Sequence, residues 1–164
     1  MAKKMAYGGV LTACALIFSY VEYAIPVNIG FPGIKLGLAN IVIVVALYGL
    51  GIKYAFAINL TRVVVAALLF SGVFGMFFGL AGGLASLCVM AVLKRADRFS
   101  VIGVSVAGGA AHNMGQLLAA TFLIANFAVL YYLPVLLISG ALTGALIGLL
   151  SKILLERLGS TLNI

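Results

Sequence analysis

With 164 residues, of which 65% are hydrophobic, and a mean hydropathy of +1.31, the chain is too apolar to fold as a water-soluble domain. Ten basic and three acidic residues give it a formal net charge of +7. Six membrane spans of roughly 20 residues would use about three quarters of the chain, which excludes a separate soluble catalytic domain.

Six apolar runs predict six transmembrane helices, and residues 1–164 are interpreted as a single membrane domain. The runs lie at about 6–25, 36–50, 54–71, 73–93, 101–124 and 131–154. The predicted fold class is an all-α integral membrane protein, a bundle of six transmembrane helices. Because the run at 36–50 is short for a span, the segment before it is expected to enter the membrane in part.

The basic residues lie where this topology predicts them. If both termini are cytoplasmic, eight of the ten fall on the cytoplasmic side: Lys3, Lys4, Lys53, Lys94, Arg95, Arg98, Lys152 and Arg157. Membrane proteins retain Lys and Arg in their cytoplasmic loops. We therefore attribute the positive charge to topology, predict a multi-pass protein of a prokaryotic cytoplasmic membrane, and expect no nucleic-acid partner.

The two cysteines, Cys14 and Cys88, lie within predicted spans, so neither a structural disulfide nor a metal site is expected. The segment Leu11–Cys14 has the form of a lipoprotein processing box, and two lysines precede it. Since the apolar run continues beyond the cysteine to Tyr20, an uncleaved first helix is favoured.

Polar side chains within the first three runs, or just outside them, are candidate ligand contacts. Arg62 lies halfway along the third run, where a charge costs about 2.5–3.5 kcal/mol on insertion scales. Glu22, Lys35 and Asn40 lie further out. A structural ion pair between Arg62 and Glu22 is the alternative. Their depths differ by roughly 12 Å at 1.5 Å per residue, so a ligand-facing Arg62 is favoured.

The fifth run contains the only histidine of the chain, within the sequence AHNMGQLL. His112 and Gln116 are four residues apart and share a helix face, whereas Asn113 lies about 100° round the helix. For each side chain alone, a hydrogen bond to a neighbouring helix is the alternative. Together with Arg62 they predict an outward-opening pocket whose cations favour an anionic or electron-rich ligand group.

Sequence motifs that would indicate an enzyme are absent. The chain has no G-x-x-x-x-G-K-[ST] phosphate loop, and its single aspartate excludes an aspartate-rich magnesium site. One histidine supplies neither a recognisable catalytic set nor a pair of haem ligands. We therefore expect neither catalysis nor a cofactor.

Small residues recur at four-residue spacing in three rows, a pattern typical of closely packed membrane helices. The rows are Gly75, Gly79 and Gly83, then Ala107, Ala111, Gly115 and Ala119, and finally Gly140, Gly144 and Gly148. Packing inside the bundle is expected for most of them, while a row that faced lipid would be a docking surface.

Four segments carry a family resemblance: PGIKLGLANI, LAGGLASLCVMAVLKR, SVAGGAAHNMGQL and YYLPVLLISGALTGALIGLL. They closely resemble the Gx transporter family, whose members are often labelled heptaprenyl diphosphate synthase component I. That family looks related to the substrate-binding (S) components of energy-coupling factor (ECF) transporters. Those components are six-helix bundles that bind a small nutrient near the outer face and dock on a membrane scaffold carrying two cytoplasmic ATPases.

The resemblance implies an ECF S-component-like importer subunit, with the loop from Pro26 to Lys35 acting as a lid. The implied partners are a small-molecule ligand, membrane lipid, the scaffold subunit and the two ATPases, which would supply the missing phosphate loop. S components often dock through an Ala-x-x-x-Ala face on the first helix. Here Ala2 and Ala6 are followed by Val10, while Gly9 and Ala13 give a shifted small-residue face, and these four small residues are the expected docking face.

Two other functions remain open at this stage. The family label suggests a non-catalytic membrane accessory subunit of a polyprenyl diphosphate synthase, or of a quinone or isoprenoid pathway. In that role Arg62, His112 and Gln116 would be structural only. A membrane subunit that carries electrons itself is disfavoured because one histidine cannot ligate a haem on both sides.

Overall fold

The computed structural model describes residues 2–25 and 37–162, and within them the chain consists of helices joined by short turns, with no strand. A π-helical turn, Ala67–Ser71, continues α3, and a 3-10 helix, Phe127–Tyr132, precedes α6. The six α-helices are α1 Ala2–Ala24, α2 Leu38–Gly49, α3 Ile52–Ala66, α4 Gly72–Ala96, α5 Val101–Ile124 and α6 Leu133–Leu162.

Several helix ends differ from the ends of the apolar runs. α2 begins at Leu38 rather than at 36, directly after Gly37, whose φ of 74° is left-handed and favours glycine. α6 begins at Leu133, after the 3-10 helix, and extends to Leu162, well beyond residue 154. A polar sequence can continue a helix outside a membrane, so hydropathy alone misses this extension. The expected lid, residues 26–35, lies outside the described residues.

Consecutive helices in the second half of the bundle run antiparallel. α3 and α4 form a hairpin around Gly72, whose φ is 68°, and Gly79 of α4 lies against Val63 of α3. α5 likewise packs antiparallel on α6, where Gly109 meets Gly140. The long helical stretch from Ile52 to Ala96 is therefore two helices side by side, not one.

Contacts of α1 with α3 and of α2 with α4 bring most of the basic residues to one end of the bundle. Gly8 of α1 packs on the Tyr54 ring near the start of α3, and Lys94 Nζ donates a 2.6 Å hydrogen bond to the Leu47 carbonyl oxygen near the end of α2. We call this the basic end. It carries Lys3, Lys4, Lys53, Lys94, Arg95, Arg98, Lys152 and Arg157.

α2 is the central helix of the bundle. Its residues from Ile41 to Leu47 are each no more than 6% exposed, so it is buried on all sides rather than along one stripe. Twelve residues give it a length of about 18 Å at 1.5 Å per residue, well short of the roughly 30 Å hydrocarbon core of a bilayer. A cavity can therefore form beside its N-terminal end, away from the basic end.

The small-residue rows on α5 and α6 bring helix backbones together, and the row on α4 packs against side chains of α3. A Cβ added to Gly144 would lie 2.6 Å from the Ser105 carbonyl oxygen, and one added to Gly115 would lie 2.6 Å from that of Ala81. Both distances are shorter than real Cβ contacts. These rows are thus used for packing inside the bundle, as the sequence indicates.

The outer surface of the bundle is apolar. Large hydrophobic side chains are widely exposed, among them Phe122 at 87%, Phe127 at 80% and Leu68 at 80%. Three helical stretches, Ala2–Ala24, Ile52–Ala96 and Phe127–Gly159, are long and apolar enough to cross a bilayer. α5 has comparable length but contains His112, Asn113 and Gln116. Such a surface belongs in lipid, and the chain is a membrane protein.

Candidate functional site

A cavity of about 360 Å³ lies between α1, α2, α3, α4 and α5, in the half of the bundle away from the basic end. It brings together five of the side chains that the sequence predicts for ligand binding: Glu22, Asn40, Arg62, His112 and Gln116. Ten further residues complete its lining: Ser19, Tyr23, Gly37, Ala39, Val63, Ala66, Phe70, Ser71, Gly75 and Gly79.

The guanidinium of Arg62 is held in the cavity by two neutral amides. Its Nε and Nη2 donate hydrogen bonds of 3.2 and 3.0 Å to the Asn59 side-chain oxygen one turn earlier on α3. Nη2 also donates to the Asn40 side-chain oxygen on α2, at 3.2 Å. These bonds fix the orientation of the guanidinium without neutralising its charge. Within the described residues, Nη1 donates no hydrogen bond, so it is available to a ligand.

No carboxylate pairs with this guanidinium among the described residues, whose one ion pair joins Lys152 and Glu156. Glu22 lines the same cavity, but its carboxylate accepts hydrogen bonds from the backbone N–H groups of Gly37 and Leu38, the latter at 3.0 Å. A carboxylate at this position satisfies N–H groups at the start of α2 and interacts favourably with the helix dipole. Glu22 therefore anchors α2 to α1, and its carboxylate lines the same cavity as Arg62 without forming a direct ion pair with the guanidinium.

His112 and Gln116, both on α5, form part of the cavity wall. Both side chains pack against Gly82 of α4: a Cβ added there would lie 2.9 Å from His112 Nε2 and 2.7 Å from Gln116 Cγ. Glycine at this position allows the two polar side chains to lie between α4 and α5 at the cavity wall. The shared helix face predicted from their spacing agrees with this position.

Aromatic rings lie at the end of the cavity furthest from the basic end. The Phe70 ring, on the π-helical turn, contacts Tyr23 at a centroid distance of 5.0 Å and Tyr20 edge-on at 5.7 Å. Tyr23 and Phe70 both line the cavity. The site thus combines hydrogen-bonding groups, one cation and one carboxylate inside with an aromatic rim.

One predicted ligand contact, Asn113, does not line this cavity. Asn113 is 8% exposed and faces α6, where its Nδ2 donates to the Leu136 carbonyl oxygen at 2.7 Å and to Ser139 Oγ at 3.3 Å. Those bonds join helices, which is the alternative that the sequence left open for it. Lys35 lies outside the described residues.

The small-residue face predicted on α1 lies on the outside of the bundle. Ala2, Ala6, Gly9 and Ala13 are all exposed, and a Cβ added to Gly9 would meet nothing within 4 Å. Gly8, one position away, is buried against Tyr54. This face of α1 is therefore not used for packing within the described bundle.

Sequence reasoning missed two contributors to the site. Asn59 is 1% exposed and supplies the side-chain oxygen that orients Arg62. Phe70 is the second; Arg62, Ala66 and Phe70 are spaced four residues apart, and all three line the cavity. The four-residue spacing therefore predicts that Phe70 lies on the same side of the helix as Arg62.

Comparison with known proteins gives one match. The family model described as heptaprenyl diphosphate synthase component I matches residues 11–154, a range that includes every residue lining the cavity. No curated protein and no solved structure matches the chain. Because the match covers far more than half of the 164 residues, the chain belongs to the heptaprenyl diphosphate synthase component I family.

Proposed function

We propose that the protein is the substrate-binding S component of an ECF-type importer, and that it captures a small anionic or polar-headed nutrient from outside the cell. The observation that carries the proposal is the guanidinium of Arg62, which is oriented by Asn40 and Asn59 and has no carboxylate partner among the described residues. A buried cation is costly unless something neutralises it. An anionic ligand would do so.

The proposed topology is six transmembrane spans with both termini in the cytoplasm of a prokaryotic cell. The basic end carries eight lysines and arginines, and such residues are retained on the cytoplasmic side of membranes. With this orientation the cavity lies in the outer half of the bilayer and its aromatic rim faces outward. That placement suits uptake from outside.

In this proposal the ligand enters with its anionic head first. The head accepts hydrogen bonds from Arg62 Nη1 and from side chains on α5, where His112 and Gln116 line the wall. An apolar or planar remainder would contact Tyr23 and Phe70 at the rim. The segment after α1, from Pro26 to Lys35, would close the site. The protein itself would catalyse no reaction.

The exposed face of α1 is the proposed docking surface for the scaffold subunit that carries the two ATPases. Helices associate in lipid chiefly through close packing of small residues. On α1 the residues Ala2, Ala6, Gly9 and Ala13 are exposed and leave that face open to a second helix. The position agrees with the docking face that the family resemblance implies.

The test is to purify the tagged protein from its native membrane in mild detergent and identify co-purifying proteins and small molecules by mass spectrometry. The wild type is compared with Arg62→Gln and, as a matched control, with Arg98→Gln, which removes an exposed arginine between α4 and α5. The wild type and the control should retain one small anionic molecule. Binding to Arg62→Gln should weaken about ten- to a hundredfold, since a charge-assisted hydrogen bond contributes about 1.5–3 kcal/mol.

Recovery of a membrane scaffold with two ATPases would support the import function. Recovery of a prenyl synthase alone, with no small molecule, would instead support an accessory role in which the cavity binds nothing. If Arg62→Gln retains as much ligand as Arg98→Gln, the charge of Arg62 is not what binds it. Size-exclusion chromatography of each variant separates a binding defect from a folding defect.

A further inference from the structure

Two adjoining cavities lie between α3 and α4 near the basic end, on the opposite half of the bundle from the ligand cavity. They have volumes of about 600 and about 350 Å³ and share Ile52 and Cys88 in their linings. Together they form one groove, which we call the α3–α4 groove. Its lining includes Ile52, Phe56, Leu87, Cys88 and Val92, together with three basic residues.

The walls of the groove are apolar and partly open to the outside of the bundle. Val92 is 67% exposed, Ile52 50% and Phe56 46%, while Leu87, at 3%, forms the floor. The walls consist of hydrophobic side chains and Cys88, so the groove offers shape and apolar surface rather than polar partners. Such a surface suits a hydrocarbon chain better than a peptide, whose backbone groups would need hydrogen bonds.

The rim of the groove is positively charged. Lys53 stands at the start of α3, and Lys94 and Arg95 stand in the last turn of α4. Lys94 is fixed by its bond to Leu47 and by its position 4.8 Å from the centre of the Tyr48 ring. Lys53 and Arg95 are exposed and form no ion pair among the described residues, and neither cavity has an acidic residue in its lining.

We propose that the α3–α4 groove is a binding site for one anionic phospholipid. An acyl chain would lie along Ile52, Phe56 and Val92, and the phosphate would lie between Lys53 and Arg95. Basic pockets between helices at the cytoplasmic surface are suited to anionic headgroups. The charge of the rim selects an anionic lipid over a zwitterionic one of the same chain length. This site rests on the membrane setting of the protein and not on the import function.

The experiment is native mass spectrometry of the delipidated full-length protein in detergent, titrated with phosphatidylglycerol or with phosphatidylcholine of the same acyl chains. The double variant Lys53→Gln/Arg95→Gln tests the rim. Arg98→Gln/Arg157→Gln removes the same charge from exposed positions of the basic end outside the groove. Cys88→Phe narrows the groove without changing its charge. Inorganic phosphate is added as a competitor to detect a simple anion site.

We expect phosphatidylglycerol to bind the wild type more tightly than phosphatidylcholine. Each basic residue near a membrane surface contributes about 1 kcal/mol, so the rim variant should lose about 25-fold in phosphatidylglycerol affinity and the control variant little. Cys88→Phe should weaken both lipids. Equal binding of the two lipids, equal losses in the two double variants, or displacement of phosphatidylglycerol by inorganic phosphate would each overturn the proposal. Because Cys88→Phe leaves the charges in place, it still tests the groove if the rim variant fails to fold.

Discussion

Replacing Gly109 by alanine tests how tightly the second half of the bundle is assembled. A Cβ built on Gly109 would overlap the Gly140 carbonyl oxygen and lie 3.1 Å from the Gly144 Cα atom. Ordinary contacts of a Cβ begin at 3.4 Å, so α5 and α6 would have to move apart here. The atoms that obstruct the new methyl group are backbone atoms, and no side-chain rotation can relieve them.

The magnitude of the effect follows from two opposing terms. Overpacking of a closely packed interior costs about 1–3 kcal/mol, and an unyielding backbone places this site at the upper end. Alanine in place of glycine within a helix returns about 1 kcal/mol. We therefore expect Gly109→Ala to lower the free energy of unfolding by about 2 kcal/mol, which corresponds to a melting temperature lower by about 4–8 °C.

The assay is unfolding by sodium dodecyl sulfate or by heat, followed by circular dichroism, in lipid-containing detergent micelles. Gly103→Ala is the matched control on the same helix, because a Cβ there would meet Ser100 Oγ at an ordinary 3.6 Å. That variant should be as stable as the wild type or slightly more so. If both variants shift stability equally, close approach of α5 and α6 at Gly109 is not what holds them together.

Two further predictions concern α5. Asn113→Leu should lower the free energy of unfolding by about 1 kcal/mol, since it removes hydrogen bonds to Leu136 and Ser139. It should leave the amount of co-purified ligand unchanged. Loss of ligand at wild-type stability would mean that Asn113 contacts the ligand. Gly82→Ala should reduce ligand retention about tenfold, a loss of about 1.4 kcal/mol. The added methyl group displaces His112 and Gln116 at the cavity wall, whereas the one in Gly103→Ala does not. Ligand retention is measured by mass spectrometry. Equal retention by the two alanine variants would show that the positions of His112 and Gln116 do not affect ligand binding.

Some of the site follows from the sequence because one physical signal decides it. A charge in the middle of an apolar run must face a cavity or a partner, and this identifies Arg62. Four-residue spacing places His112 and Gln116 on the same wall. Both inferences require only the geometry of a single helix, and both residues of that pair line the cavity together with Arg62.

Other features depend on how the helices are arranged, which no local pattern encodes. Asn113 is adjacent to His112 in sequence, yet it bonds to α6 because of where α6 packs on α5. Glu22 was predicted as a ligand contact, but its hydrogen bonds to Gly37 and Leu38 join residues 15 and 16 positions apart. The extent of α6 beyond residue 154 was likewise missed, because polarity marks the end of a membrane run but not the end of a helix.

The bond between Glu22 and the start of α2 has a consequence for protein engineering. It ties together the two points from which residues 26–36 depart and return, so the ends of that segment are held by the bundle itself. Doubling the length of a loop whose ends are already held costs only about 0.6 kcal/mol. A short epitope tag inserted within residues 26–36 should therefore leave the helices assembled. On intact cells, antibody access to such a tag would report which side of the membrane this end of the bundle faces.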